Sequence, residues 1–225
     1  MAVETLSNIL GYLTEIEEKN APKQIFYSGN IELLSKGRKV AVVGSRKVSE
    51  DGIKRAEILT KKLVKHNITV VSGLAEGVDT VAHETTIANG GNTIAVLGTP
   101  IDKVYPKSNY ELLERIKKNH LAISQFPEGY PSKPKNFPER NRTMALISDA
   151  TIIVEASQTS GTRHQGWEAL RLGRLVYLMQ NVADDKSLSW PREMIKYGAQ
   201  VLTRENLYDV LDNLPCLFEK RDFAF

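Results

Sequence analysis

The feature that most constrains the fold of this chain is a repeated alternation between short apolar runs and helical segments. Six runs carry it: KVAVVG at 39–44, ITVVSG at 68–73, TIAVLG at 93–98, LAISQ at 121–125, TIIVEA at 151–156 and LVYLM at 175–179. Each is rich in β-branched residues and nearly continuously apolar, and each leads through a turn into residues at helical spacing. A strand covered on one face alternates apolar with polar side chains, whereas a strand covered on both faces does not. The runs therefore predict buried strands of a mostly parallel sheet with helices on both faces. That is an α/β, doubly wound, extended Rossmann-like architecture.

The helices between the strands have readable ends. Ser49 is placed to cap EDGIKRAEILTKKLVKH, which carries acids in its first turn and ends at Asn67. Thr80 to His83 leads into a helix stopped by Gly90 and Gly91. NYELLERIKKN and GWEALRL supply two more, and Thr203 caps RENLYDVLDNL ahead of Pro215. Two regions break the rhythm. Residues 1–37 read as a short amphipathic helix and a linker, an N-terminal extension to a Rossmann-like domain at 38–225. Residues 125–138 hold four of the nine prolines and read as an ordered loop.

Composition narrows the class further. Thirty basic against 27 acidic residues give a net charge of +3, which leaves no polybasic tail but permits a local basic pocket. The single cysteine, Cys216, rules out an intrachain disulfide framework and fits a reducing cytoplasm. No apolar run reaches 18 residues, and the N-terminus is too acidic for a secretory signal, so no membrane association is expected. His66, His83, His120 and His164 show no metal-ligand spacing, so no metal and no cofactor are expected.

In a doubly wound fold ligands bind beyond the carboxyl ends of the strands. The residues at those ends are Gly44-Ser45-Arg46, Ser72-Gly73 running on to Asp79, Gly98-Thr99, and Thr159-Ser160-Gly161-Thr162. Small residues follow strands in most α/β proteins because tight turns need them, so each turn alone is as well explained by geometry as by a ligand. Several such turns, each pairing Gly with Ser or Thr, favour a phosphate-binding rim made of backbone N–H groups, hydroxyls and a helix N-terminus. Neither a dinucleotide nor a nucleotide-triphosphatase glycine signature is present. The loop PSKPKNFPERNR adds Lys133, Lys135, Arg140 and Arg142 around Phe137. Clustered cations with an interleaved aromatic suit single-stranded nucleic acid, charge meeting phosphate and ring meeting base. Arg46, Arg140 and Arg142 are expected to meet at one site. Glu155 reads as a structural carboxylate, a partner for Arg140 or Arg142. Trp167 and Trp190 read as packing residues.

These residues resemble a known family. VAVVGSR, VVSGLAEGVDTVAH, GGNTIAVLG, VYP, FPERNR, VEA, SGT and GR occur in the order and spacing of the DNA-processing protein A (DprA, or Smf) family, from about Pro22 to Ala199. The resemblance implies single-stranded DNA binding in a basic pocket, homodimerisation, and loading of a RecA-type recombinase during natural transformation. Carried over, the pocket uses Gly44, Ser45, Arg46, Ser72, Gly73, Arg140, Asn141 and Arg142. Phe137 and Lys135 lie beside it, and Ser160, Gly161 and Thr162 close it. Set against the family pattern, no C-terminal winged-helix domain of the kind many members carry is expected, and the N-terminal extension reads as shorter. The sequence also reads SGTRHQG where the family usually reads SGSLITA. That change puts Arg163 and His164 at normally apolar positions and alters one wall of the pocket.

Two rivals share the pocket. The segment from Glu139 to Gln165 also resembles lysine-decarboxylase-like phosphoribohydrolases, with Arg140 and Gly161-Thr162 matching their motif. Their catalytic glutamate position holds Gln165 here, and an amide cannot ionise to act as base or nucleophile. Binding is therefore expected rather than catalysis. The second rival is a nucleotide-sensing or antitoxin-like regulator that holds a small phosphorylated ligand.

Overall fold

The computed structural model describes residues 2–218. Each of the six apolar runs is a strand. In chain order the strands are β1 (Ala2–Glu4), β2 (Ile25–Gly29), β3 (Lys39–Gly44), β4 (Thr69–Ser72), β5 (Thr93–Leu97), β6 (Leu121–Ser124), β7 (Ala150–Glu155), β8 (Leu175–Met179) and β9 (Gln200–Leu202). The helices are α1 (Leu6–Leu10), α2 (Glu15–Asn20), α3 (Glu32–Ser35), α4 (Glu50–Lys65), α5 (Val78–Ala88), α6 (Tyr110–Asn119), α7 (Asn136–Ile147), α8 (Thr162–Arg171), α9 (Gln180–Ala183), α10 (Trp190–Lys196) and α11 (Leu207–Asp212).

All nine strands form one sheet in the order β1-β2-β6-β5-β4-β3-β7-β8-β9. From β6 to β9 every pairing is parallel, and β2 joins β6 antiparallel, as β1 does β2. The continuous apolar character of the strands has a direct cause. Along β3, Val40 and Val42 point into the core beneath α4 and α5, while Ala41 and Val43 point into the core beneath α7 and α8. Each residue is apolar because both sides are dry.

The segment before residue 38 differs from its reading as a helix and linker. IFYSG within it is strand β2, hydrogen-bonded to β6 through Phe26 opposite Ser124 and Tyr27 opposite Ile123. Leu6, Leu10, Leu13 and Leu34 of the same segment are buried in the main core. A five-residue strand with one polar and two half-buried aromatic residues carries too little pattern to stand out from a linker. The proline-rich region also ends sooner than its composition suggests, because α7 starts at Asn136 and takes Phe137 and Pro138 into its first turn. Proline is tolerated there, where its missing N–H would have had no intrahelical partner.

Candidate nucleic-acid interface

The sheet grows in opposite directions from β3: through β4, β5 and β6 on one side, and through β7, β8 and β9 on the other. The crevice outside the carboxyl ends of β3 and β7 is thus the topological switch point, where open α/β sheets bind ligands. A cleft of about 1170 Å³ occupies that position. Gly44, Ser45 and Arg46 line it from β3, and Ser160, Gly161 and Thr162 from the approach to α8. Phe137, Arg140 and Asn141 line it from α7.

The cationic side of the cleft is built by close approach. The Arg46 guanidinium sits over the Phe137 ring, 5.6 Å from its centroid, a distance at which a cation is attracted to the ring face. Tyr105 packs against Phe137, their ring centroids 5.4 Å apart at 54°. Gly98 lets the ring lie there, since a Cβ at that position would stand 2.6 Å from Phe137 Cδ1. Arg140 threads inward past Gly73, where a Cβ would overlap the guanidinium. Its Nη1 donates to the Val96 carbonyl at 2.7 Å, and the side chain is only 5% exposed.

Asp79, which the sequence placed at a strand end without a role, stands behind Arg140. Its carboxylate accepts from the Gly73 N–H at 3.1 Å and the Ala75 N–H at 3.4 Å, across a turn in which Leu74 has φ +58°. Asn109 Nδ2 donates to the Leu74 carbonyl at 2.9 Å and holds the turn from the other side. Burial pushes the Asp79 carboxyl up, opposed by the Arg140 charge and the two backbone N–H groups. Burial likewise lowers Arg140, with Asp79 opposing and Arg46 adding to the fall. The sequence signal for Asp79 was its place in the first turn of α5, directly after the turn that follows β4.

The remaining expected residues separate. Ser72 is fully buried in β4 and gives its hydroxyl to the Val42 carbonyl at 2.7 Å, beneath the site rather than at its surface. Gly73 lines a small side pocket behind Phe137, shared with Arg46, Tyr105 and Arg140. Among the described residues, Lys135 and Arg142 lie outside the lining of the cleft. Arg142 turns away and pairs with Glu168, Nε to Oε2 at 3.1 Å. Residues two apart on a helix point about 200° from one another, and the Glu168 pairing holds the Arg142 guanidinium over α8 rather than beside Arg140. Glu155 has a structural role with other partners than those expected. It accepts from the Ser49 N–H at 2.9 Å and lies 3.5 Å from Arg55.

The SGTRHQG loop does form one wall of the cleft. Thr162, His164 and Gln165 line it, and Arg163 does not. Gln165 is 1% exposed. With its amide turned to satisfy both ends, it donates to the Asn141 carbonyl at 2.7 Å and accepts from the Ala145 N–H at 3.3 Å. The amide thus ties α8 to α7. Among the described residues no cluster of His, Cys, Asp or Glu is arranged to hold a metal ion, and no helix is long and apolar enough to cross a membrane.

A family model described as DNA recombination-mediator protein A matches residues 8–215. The chain belongs to that family. It is 39% identical over 191 residues to the DNA processing protein DprA of Streptococcus pneumoniae, covering 85% of this chain and 66% of that protein. The X-ray structure of that DprA superposes with a TM-score of 0.81 at 35% identity, over 96% of this chain and 75% of the other. DNA processing protein A from Helicobacter pylori, described by its single-stranded DNA binding mode, shares the fold with a TM-score of 0.78 at 24% identity. It is covered over 96% of its length and this chain over 95%.

Proposed function

We propose that this chain binds single-stranded DNA through its phosphate backbone in the switch-point cleft, without base-releasing chemistry. The carrying observation is the Arg46–Phe137 stack beside buried Arg140, which offers charge and an aromatic face at one place. A cleft of about 1170 Å³ is larger than the roughly 300–1,000 Å³ usual for small-molecule sites, which favours a strand over a lone mononucleotide. Gln165 supports binding over hydrolysis, because its amide has no titrating carboxyl and is occupied in tying α7 to α8. Homodimerisation and the loading of a RecA-type recombinase rest in this proposal on the family resemblance, and light scattering with and without a recombinase tests them.

The decisive experiment is fluorescence anisotropy with a labelled oligothymidylate and a matched duplex over a salt series. The single strand is expected to bind more tightly. Arg46→Ala is expected to flatten the dependence of log K on log salt by about 0.7, one phosphate contact on a single strand. Duplex binding as tight as single-strand binding, or an unchanged slope in folded Arg46→Ala, defeats the proposal.

A further inference from the structure

The cleft absorbs only part of the SGTRHQG loop, and what it leaves out is ordered. In α8 the buried residues are Thr162, Gln165, Gly166 and Ala169. At 3.6 residues per turn, Arg163, His164, Trp167 and Arg171 fall together on the opposite face. Arg163, Trp167 and Arg171 follow at intervals of four, a stripe of cation, aromatic and cation. Trp167 is half-buried and braced edge-on by Tyr197, with ring centroids 5.4 Å apart at 76°. Tyr197 is itself 69% exposed. Glu168 on the flank of the stripe is shared between two arginines, Arg171 at 2.8 Å and Arg142 at 3.1 Å. Three arginines against one glutamate leave this surface cationic.

We propose that the outward face of α8 is an external continuation of the single-strand path. Nucleic acid leaving the cleft passes along Arg163 and Arg171 and stacks a base on Trp167. This rests on the cleft reading and lengthens the ligand from what the cleft encloses to a strand that runs beyond it. Continuity favours nucleic acid over a protein partner, because Thr162 and His164 in the first turn of α8 line the cleft itself. The helix then rises about 15 Å away from it over ten residues. The alternation of cation and ring is the pattern that tracks phosphate and base together.

The test compares labelled oligothymidylates of about 4 and about 16 nucleotides, the two ends of the range of single-strand site sizes, on the full chain. Trp167→Ala is expected to weaken the longer strand by about 5- to 150-fold, one lost stack, and to leave the shorter one unchanged. Trp167→Phe should restore most of the loss. Arg163→Ala, at a half-buried position, should flatten the salt slope of the longer strand alone by about 0.7. Equal loss on both lengths, or loss on neither, overturns the proposal. So does a change of oligomeric state by light scattering with both affinities kept, which would mark a protein interface. If the native chain binds both lengths equally, the cleft reading stands and this extension falls; if it binds neither, both fall.

Discussion

Arg140 can be cationic at the floor of the cleft because three neighbours make room for it and compensate it. Gly73 leaves the space, the Val96 carbonyl takes one N–H, and Asp79 supplies an opposite charge from a carboxylate already held by two backbone N–H groups. Gly73→Ala should therefore act on Arg140. The new methyl displaces the guanidinium, at a cost of about 1–3 kcal/mol for overpacking. DNA affinity should fall with a flatter salt slope, much as in Arg140→Ala. A Gly73→Ala protein with lowered melting temperature but native slope would separate the glycine from the site. Asp79→Asn is the opposite perturbation. Its amide oxygen can still accept from Gly73 and Ala75, but the counter-charge is gone. The variant is expected to bind single-stranded DNA more tightly at low salt with a steeper slope, measured on the same anisotropy series. Unchanged or weaker binding in the folded variant would assign Asp79 to the turn alone.

At the scale of elements, the site depends on how α4 is anchored. Ser49 accepts from the Gly52 N–H at 3.0 Å and gives its hydroxyl to Glu155 at 2.5 Å, while Glu155 also takes the Ser49 N–H. The end of β7 thereby holds the start of α4, and the loop carrying Arg46 lies between β3 and that start. Glu155→Ala should cost about 1–3 kcal/mol in urea unfolding, the penalty for leaving hydrogen-bonding groups without their partner, with the salt slope of DNA binding unchanged. A changed slope would show that Glu155 tunes the cleft directly. The same elements show what could be read in advance. The central strands were legible because two dry faces force every residue to be apolar, and the Ser49 cap because its spacing to the acidic first turn is local. Strand β2 was not, since its identity comes from pairing with β6 nearly a hundred residues later. Arg142 misled because a cluster in sequence becomes two faces once α7 is a helix. Asp79 was placed at the strand end but given no role, because its role lies in a turn and a buried charge that only the assembled sheet brings together.

For the whole molecule, the doubly wound sheet places its switch point over a buried polar floor that reaches from the cleft into the core between α5 and β5. His83 lies there, fully buried, with Nδ1 2.7 Å from the Thr93 hydroxyl. Thr93 gives its one hydrogen to the Val70 carbonyl at 2.9 Å, so His83 Nδ1 is the donor in its contact with Thr93. Burial, then the nearby charges of His120 and Arg140, lower its pKa to about 3. A folded-state pKa below the unfolded value of about 6.5 means that the neutral form's stability is fully present above about pH 6.5. It is lost as pH falls toward about 3. Burial raises the carboxyls of Asp79 and Asp149, and they act in the opposite sense as they take up protons. The His83 contribution is therefore isolated as a difference between native protein and a His83→Leu variant. The stability advantage of the native chain over the variant should shrink by roughly 3 kcal/mol between about pH 6.5 and pH 4, at about 1.4 kcal/mol per pH unit. Urea unfolding at several pH values measures it. A constant difference across that window would mean that His83 stays neutral in the unfolded chain too, or gains a proton without penalty in the folded one, and the buried floor would then carry no proton-linked stability.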